Sequence, residues 1–262
     1  MNIAGEAQDV LPLDLAFGSG KTGMTYVAFL GQEALELHKS YFPRLRQWYL
    51  TPGHEKQKAT DVGMMHNQTV TRQCVLCHAV SLPDSGIKPE PRFFGVGCES
   101  CHGAGGAHVA AMQSGKRTDL FLERLEQLDA SHLNNLCARC HRGIENVDLQ
   151  TNQAKMTNRF QPYGLMKSRC FIESGNRLSC LTCHNPHTDA SADRKTYEVA
   201  CLKCHSGKQT ATVASATPPK VCPVNRASGC IGCHMPSRPA FVTNNLPTLI
   251  ADHFIRVIPQ KP

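Results

Sequence analysis

No apolar run in the chain approaches the ~20 residues that a membrane-crossing helix needs, so no membrane span is expected in it. No leader is visible in residues 1–20, which hold acidic residues and glycine in place of a basic stretch and an apolar core. We read the sequence as a mature or trimmed chain. Apolar residues are also scarce, at 41% of 262 residues, slightly under the usual ~45–50%. Length allows one or two ordinary domains, and something besides side chains must furnish part of their core.

Cysteine, by contrast, is abundant. Twelve of the 14 Cys fall into six C-x-x-C pairs, each followed at once by His. They are Cys74, Cys77 and His78; Cys98, Cys101 and His102; Cys137, Cys140 and His141; Cys180, Cys183 and His184; Cys201, Cys204 and His205; Cys230, Cys233 and His234. C-x-x-C-H is the haem attachment signature. Thiols three residues apart share one face of a helical turn and can add to the two vinyl groups of one porphyrin. The next residue can then reach the iron as proximal ligand. Zinc is the rival, because paired C-x-x-C units build Cys₄ sites, but zinc does not call for His after the second Cys. With 13 His in 262 residues, chance would put His there about 5% of the time, or about one in 10⁸ for all six. The cofactor expected is therefore haem c, six per chain.

Six haems in 262 residues leave about 44 residues each, too few to wrap each porphyrin separately, so neighbouring porphyrins should pack closely and supply apolar core. The formal charge of +7 changes meaning as well. Twelve propionates and six oxidised irons bring it to about +1, and reduction to about −5. The basic excess compensates propionates, and no nucleic-acid partner is expected. Haem attachment to two thiols takes place where exported proteins fold, which implies a periplasmic or extracellular location.

Residues 1–60 carry no haem motif, but hold Phe17, Tyr26, Phe29, Tyr41, Phe42, Tyr49 and the only Trp, Trp48. The run Thr25 to Leu30, then Gly31-Gln32, then Glu33 to His38 predicts a β-hairpin, although Ala34, Leu35 and Leu37 would also suit a helix. Residues 61–262 hold all six motifs and form the expected hexahaem domain. Their starts lie 24, 39, 43, 21 and 29 residues apart, too uneven for a strict repeat. The stripe Leu120, Leu122, Leu125, Leu128 and Leu133 predicts a helix from Ser114 to Leu136 running into the third motif. The linker 206–229, with Pro218-Pro219, should not be helical. The expected fold is mostly α with few strands and much irregular structure, organised by haems, with a small N-terminal β-hairpin. Cys170 and Cys222 lie outside the motifs and suit a disulfide in an oxidising compartment, or two buried thiols.

Six low-spin haems need six distal ligands, and seven His lie outside the motifs. His187 follows His184 by three residues; it cannot easily share that iron and should reach an adjacent one. His253 can fold back over the cluster, with Asp252 orienting an imidazole. His108 follows glycines that allow a tight path beside a porphyrin. His66, just before the first motif, His54 and His132 complete the expected set, leaving His38. Met64, Met65 and Met235 read as packing rather than axial ligands, and so do Tyr163 and Tyr197 rather than active-site groups.

The extended motifs Gly95-Val96-Gly97-Cys98-Glu99-Ser100-Cys101-His102-Gly103, with Ala107-His108-Val109, resemble tetrahaem cytochromes that serve hydroxylamine oxidoreductase. The same holds for Cys180-Leu181-Thr182-Cys183-His184-Asn185-Pro186-His187, for Gly229-Cys230-Ile231-Gly232-Cys233-His234-Met235-Pro236 and for Asp252-His253. That lineage includes hydroxylamine oxidoreductase and pentahaem nitrite reductase. The resemblance spans about residues 60–256 and implies bis-His haems in stacked and perpendicular pairs, with His108, His187 and His253 as distal ligands. Residues 18–53 resemble a β-hairpin segment of large multihaem proteins of this group, which usually carry another C-x-x-C-H before it; none stands there here.

Two functions are open. In the first, the chain is an electron carrier or conduit with six six-coordinate haems. Its partners would be other redox proteins or cytochromes, or copies of itself in a homo-oligomer or filament, a neighbour lending a distal His. In the second it is an oxidoreductase of small nitrogen or sulfur compounds with one five-coordinate haem. The sequence has no C-x-x-C-K, the mark of the nitrite reductase branch, and His is plentiful, so the carrier is favoured and no catalytic residue is assigned.

Overall fold

The computed structural model describes residues 10–118, 121–148, 150, 157–206, 221–241, 246 and 248–258. The chain divides into two units, Met1–Ser100 and Cys101–Pro262, the division falling inside the second C-x-x-C-H.

The first unit is built on β structure. Strands β1 (Leu15–Phe17), β2 (Thr25–Leu30) and β3 (Glu33–Leu37) are antiparallel neighbours, and β6 (Gly63–His66) joins β3 to complete a four-stranded sheet. The predicted hairpin forms, with Leu30 paired to Glu33 across Gly31-Gln32. Gly31 has φ +65°, a positive value at the first turn position that matches the strand twist and that glycine adopts without a Cβ penalty. The β structure goes well beyond that hairpin. Gly63 pairs with Leu37 on β6, and a Cβ there would stand 2.1 Å from the Glu36 carbonyl. Strands β4 (Lys39–Phe42) and β5 (Gln47–Leu50) form a second, two-stranded sheet. Trp48 lies between Tyr41 and Tyr26, with ring centres at 5.2 and 5.6 Å. Helix α1 (Gln68–Val75) packs on the larger sheet, and Leu15, Val75 and Ala79 make the core with Phe17, Phe29 and Leu82.

The second unit consists of short helices: α2 (Glu99–His102), which starts in the first unit, α3 (Gly106–Gln113), α4 (Ala130–His141), α5 (Gln161–Met166), α6 (Arg169–Glu173), α7 (Lys195–His205) and α8 (Cys230–His234). A two-stranded ribbon, β7 (Ser237–Pro239) with β8 (Leu249–Ala251), follows. The predicted helix from Ser114 to Leu136 does not form. Gly115 turns away after α3 at φ +77°, Phe121 sits at φ +56°, and Leu128 is extended. Asp129 then caps a new helix by accepting from the His132 amide at 2.8 Å, so α4 begins at Ala130. Side-chain capping of free amides sets where a helix starts, whatever apolar stripe precedes it. Leu120 and linker residues 207–220, including Pro218-Pro219, lie outside the described residues. No described helix is long and apolar enough to cross a membrane.

Candidate haem-binding motifs and their imidazoles

Each motif sits at the end of a helical turn, which points two sulfurs and an imidazole to one side. Asn67 caps α1, its side chain accepting from the Val70 amide at 3.0 Å. The turn continues past the helix as the Cys77 amide donates to Cys74 and that of His78 to Val75. The second motif runs into α2 from Cys98, just before it, and the third, fifth and sixth lie in α4, α7 and α8. The fourth is a single 3₁₀ turn, Cys180–Thr182, with the His184 amide donating to the Cys180 carbonyl at 2.9 Å.

Two buried side chains tie motifs together. Asn134 of α4 is fully buried. Its amide nitrogen donates to the Leu178 carbonyl at 3.0 Å, and its oxygen accepts from the Cys180 amide, also at 3.0 Å. The third and fourth motifs therefore start side by side. As free thiols, Cys137 and Cys180 hydrogen-bond each other, which draws Cys137 down to about 7 and pushes Cys180 up. In α7, Glu198 is also buried, and its carboxylate accepts from the Gly229 amide at 3.1 Å and the Ile231 amide at 3.3 Å. A carboxylate from the fifth motif's helix thus caps the sixth motif's helix.

Two of the motif imidazoles each face an imidazole from outside the motifs. His102 of the second motif faces His187, ring centres 6.0 Å apart and planes 7° apart. His184 of the fourth faces His253 at 6.1 Å and 26°. A metal–imidazole bond is about 2.0–2.1 Å, and about 1.1 Å more reaches the ring centre, so two imidazoles trans on one metal stand roughly 6.3 Å apart. That separation would suit an iron held between the two rings of each pair.

The ring nitrogens agree. His102 donates from Nδ1 to the Glu123 carbonyl at 3.1 Å, His253 to the Ala251 carbonyl at 2.9 Å and His234 to the Arg256 carbonyl at 3.0 Å. A donor bond at Nδ1 fixes the tautomer and leaves Nε2 as the lone-pair nitrogen for a metal. Burial holds the imidazoles of His78, His184 and His253 below the usual histidine range. Burial thus favours the neutral imidazole, the form that ligates. The sulfurs, imidazoles and spacing thus fit thioether-linked haem.

The remaining predicted ligands are placed differently. His38, His54 and His66 gather in the first unit around Glu36. Its Oε2 takes His66 Nε2 at 2.9 Å and His54 Nε2 at 3.2 Å, and His38 stands 5.8 Å from His54 by ring centres. His54 is fully buried, and its Nδ1 has no hydrogen-bond partner among the described residues. His108 lies in the first turn of α3. His132 is at the surface with its ring on Asp129 at 2.9 Å. Asp252 does not hold an imidazole as expected. It is buried and accepts from Arg238 and Arg256, each at 3.0 Å, because guanidinium forks outcompete a neutral ring for a carboxylate. Cys170 and Cys222 are both free thiols, so no bridge joins them. Zinc ribbons bring two C-x-x-C pairs around one ion; among the described residues, no three or more His, Cys, Asp or Glu stand in metal-holding geometry.

Residues 39–103, which include the first two motifs, match the model of the family described as cytochrome c554 and c-prime. A stretch of 102 residues is 33% identical to cytochrome c-554 of Nitrosomonas europaea, covering 34% of this chain and 43% of that protein. The chain resembles multihaem c-type cytochromes of the c554 type. It spans under half the length of that relative. Among solved structures, it is similar to the outer cell wall cytochrome OcwA at TM-score 0.47 and 15% identity, covering 91% of this chain and 66% of that one. It is also similar to the undecahaem cytochrome from the S-layer of Carboxydothermus ferrireducens at TM-score 0.41 and 16% identity, covering 88% and 44%.

Proposed function

We propose that the chain transfers electrons through six covalently bound haems c, as a carrier or conduit. The observation that carries this reading is the pairing of His102 with His187 and of His184 with His253, each a motif imidazole faced by one from outside the motifs. Two imidazoles that fill both axial positions leave no place for a substrate on that iron, which suits electron transfer better than catalysis. The haems would supply the one-electron iron couple. The twelve motif cysteines would anchor them, and His78, His102, His141, His184, His205 and His234 would be the proximal ligands. His187 and His253 are the distal ligands we assign to the second and fourth haems. His54 would ligate through Nδ1, a buried nitrogen with no hydrogen-bond partner among the described residues. His66, His108 and His132 complete the distal set. Close motif starts, joined by Asn134 and by Glu198, would hold neighbouring porphyrins near enough for exchange. The reading places the protein in the periplasm or outside the cell, with other redox proteins or further copies of itself as partners. Replacing His187 by Ala should convert one haem to high spin in the EPR spectrum of the oxidised protein; an unchanged spectrum would reject the assignment.

A further inference from the structure

A motif imidazole and one from outside the motifs meet on one short segment. His234 Nδ1 donates to the Arg256 carbonyl at 3.0 Å, and the Arg256 amide returns to the His234 carbonyl at 3.4 Å. His253, which faces His184, lies three residues before Arg256 and bonds Ala251 within the same segment. Asp252 closes the segment on itself. One carboxylate oxygen takes Arg238 Nε of β7 and Arg256 Nη1, and the other takes the Phe254 amide at 3.0 Å. Arg256 also donates to the Phe254 carbonyl at 2.6 Å and lies over the Phe254 ring at 4.4 Å. From outside, the buried Ser168 hydroxyl accepts from the Ile255 amide at 2.8 Å and donates to the Gly164 carbonyl at 3.0 Å.

We propose that residues 251–256 form one clasp that sets the ligand geometry of the fourth and sixth haem sites together, with Asp252 as the positioning residue that closes it. The inference rests on reading His234 and His253 as iron ligands. Its physical basis is that one buried carboxylate fixes both ends. The Phe254 amide bond and the chain fix His253, and the Arg256 guanidinium fixes the carbonyl that orients His234. A hydrogen bond to Nδ1 sets ring rotation and ligand basicity, so loosening the carboxylate alters both sites. Asn at position 252 keeps an acceptor for the Phe254 amide but loses the charge-assisted bonds to both arginines.

The test uses the haem-loaded protein and EPR of its oxidised form. Asp252→Asn should shift two low-spin signals together while the others stay. Cyanide binding at those two haems should speed up about tenfold, the change that about 1.4 kcal/mol gives. Arg238→Gln removes a half-exposed partner and should move the same two signals less, which keeps the test usable if the Asn variant does not fold. If neither variant moves both signals together, the clasp is overturned. His253→Ala separates the two readings. Loss of one low-spin signal upholds the ligand assignment whatever the clasp does, and an unchanged spectrum overturns assignment and clasp alike.

Discussion

Gly164→Ala offers a case in which two effects of opposite sign can be weighed. Gly164 lies in α5, where alanine is ordinarily better than glycine by about 0.8–1.0 kcal/mol. The space is not there, however. A Cβ at this position would stand 2.6 Å from the Phe254 nitrogen, 2.8 Å from the His253 carbonyl carbon and 3.3 Å from the His253 Cα. Carbon contacts settle at about 3.5–4.0 Å, so backbone 253–254 must retreat by about 1 Å. Overpacking of this kind costs about 1–3 kcal/mol, which outweighs the propensity gain. The shift is also about half of a metal–imidazole bond of about 2.0–2.1 Å. The variant should melt lower than the parent and show a high-spin fraction at one haem, measured by thermal unfolding and EPR on the same sample. A raised Tm with a fully low-spin spectrum would mean that propensity alone governs the site, and would refute the reasoning.

Three further outcomes follow from the same geometry. Asn134→Ala leaves the Leu178 carbonyl and the Cys180 amide without their partner and should cost about 1–3 kcal/mol in denaturant unfolding; a loss under about 0.5 kcal/mol would contradict the tie between the third and fourth motifs. Burial lowers the pKa of His78, His184 and His253, so the unfolded chain binds more protons around and below the ordinary value of about 6.5, and stability is lost as pH falls through that window. The melting temperature should be higher at pH 8 than at pH 5, and a flat or reversed profile would count against neutral buried ligands. Denatured, haem-loaded protein should titrate two reactive thiols, Cys170 and Cys222, because thioethers do not react; a count of zero would indicate a bridge between them.

The motifs were legible because their chemistry is local. Two sulfurs and an imidazole within five residues need only one helical turn, and His187 follows its motif closely enough to be read from the same stretch. The hairpin of β2 and β3 was legible for the same reason, since two short runs flank a glycine turn. The rest of that sheet was not, because β6 joins β3 across 25 intervening residues, and only Gly63, tight against Glu36, marks the contact. The Leu stripe across 114–136 misled because periodicity reports apolar spacing and not where amides find caps; Asp129 decided that boundary. Ser168, Gly164, Asn134 and Glu198 carried no signal. Each acts on backbone 31 to 90 residues away, and nothing in their own neighbourhoods announces it. Asp252 stands beside His253 in the sequence, but its guanidinium partners are Arg238 and Arg256, and the approach of Arg238 depends on the β7–β8 ribbon.

Intact mass of the purified protein, set beside its iron content, tests the central claim most directly. The account predicts the polypeptide plus six covalently retained porphyrins and six irons per chain. A bare polypeptide mass, fewer than six porphyrins, or zinc in place of iron would contradict it.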